Sequence, residues 1–243
     1  DLNGNGVKDA GEPGLGGWEI RAYVDANGNG TLEAGETTLA ASATTDGTGS
    51  YTLTLNPGTY VVCEVLQPTW TQSRPANMKC AAGTGLGPGG YALTVTSGSS
   101  ETGNDFGNFQ RGTKSGVKFN DLNGNGIKDG GEPGLAGWTI SAYTDGNGDG
   151  TLSATEAAAV PAATAITDVT GAYTLTLNPG TYVVCEVLQP TWTQSRPANT
   201  KCAAGTGLGP GGYALTVTSG SSETGNDFGN FQQGTKSGVK FND

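Results

Sequence analysis

Oxygen-bearing side chains recur on alternate residues of one twelve-residue pattern, which appears four times in this chain. In 121–132 it sets Asp121, Asn123, Asn125, Asp129 and Glu132 at positions 1, 3, 5, 9 and 12, with Gly126 at position 6 and the carbonyl of Ile127 at position 7. Calcium is a hard cation that takes six to eight oxygens at loose geometry, so short donors on alternate residues of a tight loop can surround it. The same grammar gives Asp1, Asn3, Asn5, the Val7 carbonyl, Asp9 and Glu12 in 1–12. It gives Asp25, Asn27, Asn29, the Thr31 carbonyl, Glu33 and Glu36 in 25–36, and Asp145, Asn147, Asp149, the Thr151 carbonyl, Ser153 and Glu156 in 145–156. Asp, Asn and Gly also build turns that hold no ion. That reading needs a full ligand set to arise by chance four times, so calcium is the expected cofactor.

Other chemistries are restricted by composition. The chain has no His, which removes the usual general base, the Ser and Cys triads and the commonest zinc ligand. An enzyme is therefore not expected. The formal charge of −10 argues against nucleic acid or an anionic membrane as partner. No apolar run is long enough to cross a membrane as a helix. Four calcium ions would bring the charge to about −2 in the full-occupancy limit.

The elements that must position these loops are set by an internal repeat. Residues 50–120 and 172–242 differ only at Ser50/Ala172, Met78/Thr200 and Arg111/Gln233, and the earlier portions also align. Each copy carries two cysteines, and a pairing that repeats identically joins Cys63 to Cys80 and Cys185 to Cys202, implying an oxidising, extracellular setting. Two buried free thiols per copy are the alternative. Alternation places Trp138, Ile140 and Ala142 on one strand face, and Tyr173, Leu175 and Leu177 on another. Further strands are expected at 181–188, 213–218, 226–231 and 115–120, with a helical turn or two within 152–160. Glycine, 43 of 243 residues, falls mostly in clusters between these runs. The fold class is all-β: two tandem Ig-like or prealbumin-like β-sandwiches with EF-hand-like calcium loops between strands. The domains are 1–111, which lacks its own first strand, and 112–234, followed by a further first strand at 235–243.

The stretches Ser-Gly-Val-Lys-Phe-Asn-Asp-Leu-Asn-Gly-Asn-Gly at 115–126 and Asp-Gly-Gly-Glu-Pro-Gly-Leu-Ala-Gly-Trp at 129–138 resemble the calcium-binding B repeats of serine-aspartate repeat adhesins and related Cna-B-type modules. The segments at 180–190 and 226–231 fit the same group. The resemblance covers nearly the whole chain and implies a spacer or fibre unit on or outside a microbial cell. It also implies a spontaneous Lys–Asn isopeptide bond with a Glu proton shuttle, for which matching positions are Lys118 or Lys240, Asn108 or Asn230, and Glu64 or Glu186. Against this, an alternation that sends Val117 and Phe119 inward turns Lys118 to solvent.

Residue Asp1 already lies inside a loop, 235–242 repeats the strand that precedes the third loop, and Asp243 would be the first ligand of another. Either a long tandem array or a strand donated head-to-tail between copies fits this frame. The expected function is a structural, calcium-stiffened unit of an extracellular filament, stalk or surface adhesin whose partners are copies of itself. The alternative is a carbohydrate- or protein-binding module using Trp70, Trp192, Tyr91 or Tyr213, with Trp18 and Trp138 kept in the core.

Overall fold

The computed structural model describes residues 1–242; Asp243 lies outside the described residues. The fold is almost wholly β, in two compact units: Asp1–Arg111 with Thr218–Gly220, and Gly112–Val217 with the described residues from Ser221 onward.

The first unit has β1 (Glu19–Val24), β2 (Leu39–Thr44), β3 (Gly58–Val65), β4 (Trp70–Arg74), β5 (Leu86–Val95) and β6 (Gly107–Gln110). The second has β7 (Gly112–Asn120), β8 (Thr139–Thr144), α1 (Ala154–Ala157), β9 (Ala163–Ile166), β10 (Ala172–Leu177), β11 (Gly180–Val187), β12 (Trp192–Arg196), β13 (Leu208–Val217), β14 (Ser222–Glu223) and β15 (Phe228–Gln232).

In the second unit one sheet runs β13-β11-β8-β9 and another β10-β7-β15-β12, with β14 beside β7. Tyr173, Leu175 and Leu177 are buried while Thr174 and Thr176 are exposed, the alternation of a strand with one face on the core. They pack with Ile140, Ala142, Tyr182, Val184 and Phe228. Strand β11 is buried without a break from Tyr182 to Glu186, because its other face is also covered. There Val183 and Cys185 meet Tyr143, Cys202 and Leu152, the last from the fourth acidic loop. Disulfides join Cys185 to Cys202 and Cys63 to Cys80, and among the described residues no cysteine is free. The helical expectation in 152–160 is met by a single turn, whose capping box is made by Ser153 and Glu156, positions 9 and 12 of that loop.

The first unit repeats the β13-β11-β8-β9 sheet as β2-β1-β3-β5, but its other half is only the pair β4-β6. Residues 51–55 match β10 in sequence yet form no strand. Strand β7 explains the difference. It pairs with β10 from Gly112↔Leu177 to Val117↔Ala172, then parallel with β15 from Lys118↔Phe228 to Asn120↔Asn230. Among the described residues the first unit has no strand in that position, so Tyr51, Leu53 and Leu55 are only half-buried.

Candidate functional site

The acidic loops fold back on themselves. In the third, Asp121 Oδ1 accepts the N–H groups of Gly124 and Asn125, and Oδ2 that of Gly126, at 2.7–3.1 Å. Glu132 closes the loop by accepting Leu122 N–H on one oxygen and Asp129 N–H on the other. The first, second and fourth loops repeat the contact through Asp1 to Gly6, Asp25 to Gly30 and Asp145 to Gly150. Glu12, Glu36 and Glu156 close them. The glycines at position 6 have φ of 72–75°, a left-handed turn that costs glycine little. Hydrogen bonds from Asn3 and Asn5 hold the Asp9 carboxyl below its ordinary value, and Thr151 does the same for Asp149. Among the described residues no three acidic, cysteine or histidine side chains converge. A cation here would draw on Asn amide oxygens and main-chain carbonyls beside the carboxylates. The donor set fits a hard, oxygen-seeking ion.

A second constellation lies inside the second unit. Lys118 of β7, Asn230 of β15 and Glu186 of β11 are each 0% exposed. The Lys118 ammonium nitrogen lies 2.8 Å from Glu186 Oε2 and donates to Asn230 Oδ1. The amide nitrogen of Asn230 donates to Glu186 Oε1 at 2.8 Å. One carboxyl group thus touches both an amine and an amide nitrogen, from the opposite sheet. The Trp138 ring covers the amine, its centroid 4.0 Å from Nζ. Burial pushes the Lys118 amine down to about 8, against the pull of Glu186, and pushes the Glu186 carboxyl up.

The expectation that Lys118 faces solvent is wrong, and the reason lies in β7. Lys114 and Lys118 share the inward face, while Val117 is only half-buried. Phe119, on the opposite face, is also buried, packed on the bare backbone of Gly229 and under Lys128 of the third loop. Alternation fails as a guide where a strand is covered on both sides. Lys114 pairs with Glu223 at 2.7 Å, a contact unforeseen from the sequence, although Glu223 and Lys114 recur together in the repeat.

No family model and no curated protein matches the chain. Among solved structures it is similar to the minor pilin GBS52 of Streptococcus agalactiae, at 14% identity over 99% of this chain and 92% of that one, TM-score 0.32. It is similar to the shaft pilin SpaA of Lactobacillus rhamnosus GG, at 14% identity over 93% and 91% of the two chains, TM-score 0.33. It is also similar to the Bacillus anthracis TIE protein, at 12% identity and TM-score 0.34, covering 90% of this chain and 31% of that chain, about a third of its length. Likenesses this remote carry no argument about function.

In the first unit the same carboxyl and amide meet, and among the described residues no lysine amine lies beside them. Asn108 donates to Glu64 at 2.8 Å, and both are buried. Burial pushes the Glu64 carboxyl up to about 8. Lys240 is exposed. Of the aromatics, Trp18 and Trp138 are buried as expected, while Trp70 and Trp192 are half-buried and meet them edge to face at 5.5 and 5.6 Å.

Proposed function

We propose that this chain is a non-catalytic, load-bearing unit of an extracellular filament, stalk or surface adhesin, stiffened by calcium and joined head-to-tail to copies of itself. The observation that carries the reading is the sealed Lys118–Glu186–Asn230 cluster. With no side chain of the three exposed, its chemistry is turned on the protein itself.

In the low-dielectric core the Lys118 proton passes to Glu186, leaving a neutral amine and a neutral carboxyl. The amine attacks the Asn230 side-chain carbonyl carbon. Glu186 takes a proton from the attacking nitrogen and gives one to the amide nitrogen, which leaves as ammonia. A Lys–Asn amide forms, a carbon–nitrogen bond breaks, and Glu186 ends protonated as it began. Fixed geometry replaces an encounter between reactants, so no external catalyst is needed. The new bond ties β7 to β15, the strands nearest the two ends of the unit's sequence, so tension along the chain would run through a covalent link.

Calcium supplies charge neutralisation and loop rigidity when bound. Asp121, Asn123, Asn125, Ile127, Asp129 and Glu132 would hold one ion directly after β7, and the other loops would do likewise. Single-molecule stretching tests the reading. The second unit should resist unfolding at forces that extend the first, and the chain between units should soften in chelator. Full extension of the second unit at low force would refute it.

A further inference from the structure

Seven Asn–Gly pairs occur in the chain, and all seven lie at positions 3–4 or 5–6 of the acidic loops. Each pair carries its own reactants. The main-chain nitrogen of the glycine can attack the side-chain carbonyl carbon of the asparagine before it, and no Cβ on the glycine stands in the way. We propose that each loop is a latent site of this self-modification, kept shut by the aspartate at position 1, and that release of that aspartate converts the asparagines irreversibly to aspartyl and isoaspartyl residues.

In the third loop Asp121 places one carboxylate oxygen on each nucleophile. Oδ1 accepts Gly124 N–H and Oδ2 accepts Gly126 N–H, both at 2.7 Å. In the other loops the glycine nitrogen of every Asn–Gly pair is held in the same way by Asp1, Asp25 or Asp145, at 2.7–2.8 Å. The electrophiles are held as well. Asn123 Oδ1 accepts Asn125 N–H at 3.0 Å, and its amide nitrogen donates to Asp129 at 2.8 Å. Asn125 makes the corresponding bonds to Ile127 N–H and Asp129. Each side-chain carbonyl is thus committed to the N–H two residues on, as in an Asx turn, and not to the adjacent glycine. Asp121 is 0% exposed while Asn123 and Asn125 are exposed, so water reaches the asparagines but not the group that restrains their neighbours.

Once the carboxylate lets go, the glycine nitrogen gives its proton to water and bonds to the asparagine Cγ. The Cγ–Nδ2 bond breaks, and the amide nitrogen takes up a proton and leaves as ammonia. One water then opens the five-membered imide, at the side-chain carbonyl to give aspartate or at the main-chain carbonyl to give an isoaspartyl linkage. One ammonia leaves and one water enters, with no oxidant or further reactant. Each event adds a negative charge to a chain that already carries −10. The isoaspartyl form also lengthens the main chain by a methylene, which shifts the glycine N–H groups off the position-1 aspartate, so an opened loop does not close as before. A hydrogen bond to a charged acceptor that must break before attack slows the step by roughly tenfold or more.

The test incubates the full chain at neutral pH in heavy-oxygen water and follows each site by peptide mapping. Folded chain should convert its Asn–Gly pairs roughly tenfold or more slowly than the same chain in denaturant. Asp121→Ala should raise the rates at Asn123 and Asn125 toward the denatured values and leave Asn3, Asn27 and Asn147 unchanged. Asn147, in the same unit, reports whether that variant has unfolded. If it has, Asp121→Asn decides, because its amide keeps a single acceptor oxygen and should free one pair of the third loop while holding the other. Equal rates in folded and denatured chain would overturn the lock. So would a folded Asp121→Ala chain, or failing that a folded Asp121→Asn chain, whose Asn123 and Asn125 both react no faster than in the wild type. Failure of the pairs to react in denaturant would overturn the sites themselves.

Discussion

Lys118 Nζ lies 2.8 Å from Glu186 Oε2, and neither side chain is exposed to solvent. A buried pair of this kind is a poor source of stability, since desolvation of both partners offsets their attraction. Its presence in a β-sandwich core, with an amide aligned against both members, points to chemistry rather than packing. The two partners should respond differently to removal. Glu186→Ala strands an amine in the core and should destabilise the second unit by roughly 3–5 kcal/mol. Lys118→Met removes the cation at similar volume and leaves a carboxyl that burial already favours in its neutral form, so its cost should be smaller. Denaturant unfolding of the two variants checks the order.

Glu64 makes the stability of the first unit depend on pH. Burial raises its folded-state value from 4.5 to about 8, so the unfolded chain loses this proton first. Between these values only the unfolded form is ionised, so each rise in pH favours unfolding of the unit. Its stability should therefore be greatest below about 4.5 and should decline as pH rises to about 8, then level off, by a few kcal/mol in order of magnitude. Urea unfolding of unassembled chain at both ends of this range checks the slope, and Glu64→Gln should flatten it.

Removal of calcium should lower the melting temperature of both units. At free calcium about 100 times the dissociation constant, each occupied loop contributes about 2.7 kcal/mol by mass action. Glu132→Gln should reduce this contribution in the third loop, because Glu132 closes the loop through Leu122 and Asp129. Calorimetry with and without chelator measures it. Identical melting in both conditions would remove calcium from the account.

Two copies of one glycine differ in what a methyl group would meet. A Cβ on Gly116 would lie 2.2 Å from the Asn226 carbonyl oxygen, so Gly116→Ala should cost roughly 1–3 kcal/mol by forcing β7 away. At Gly238 nothing lies within 4 Å. Gly238→Ala should leave the melting of the chain unchanged, and thermal unfolding of the two variants checks the contrast.

Much of this was legible in the sequence, for physical reasons that differ by residue. The buried faces of β8 and β10 followed from alternation, and the disulfides from a pairing that repeats. The turn of each loop, with its first Asp on the N–H of the glycine at position 6, followed from the order of Asp, Asn, Gly and Glu. Lys118 was misplaced because alternation assumes one wet face, whereas β7 is covered on both, by the core and by the third loop. The open half of the first unit had a visible cause in the absence of a β7 equivalent. The extent of its effect, from unpaired 51–55 to half-buried Leu53, needed the sheet pairing to be seen. Lys114 with Glu223 and Val117 with Asp227 were missed because they join distant residues through parallel or irregular pairing, which local periodicity does not encode.

The amide between Lys118 and Asn230 is tested most directly by the mass of the intact, reduced chain in denaturant, followed by fragmentation. The account predicts a chain lighter than its sequence by at least one ammonia, a branched peptide joining Lys118 to Asn230, and no such loss at that site in Glu186→Gln. A wild-type chain at its full sequence mass, with Lys118 and Asn230 recovered in separate peptides, would contradict it.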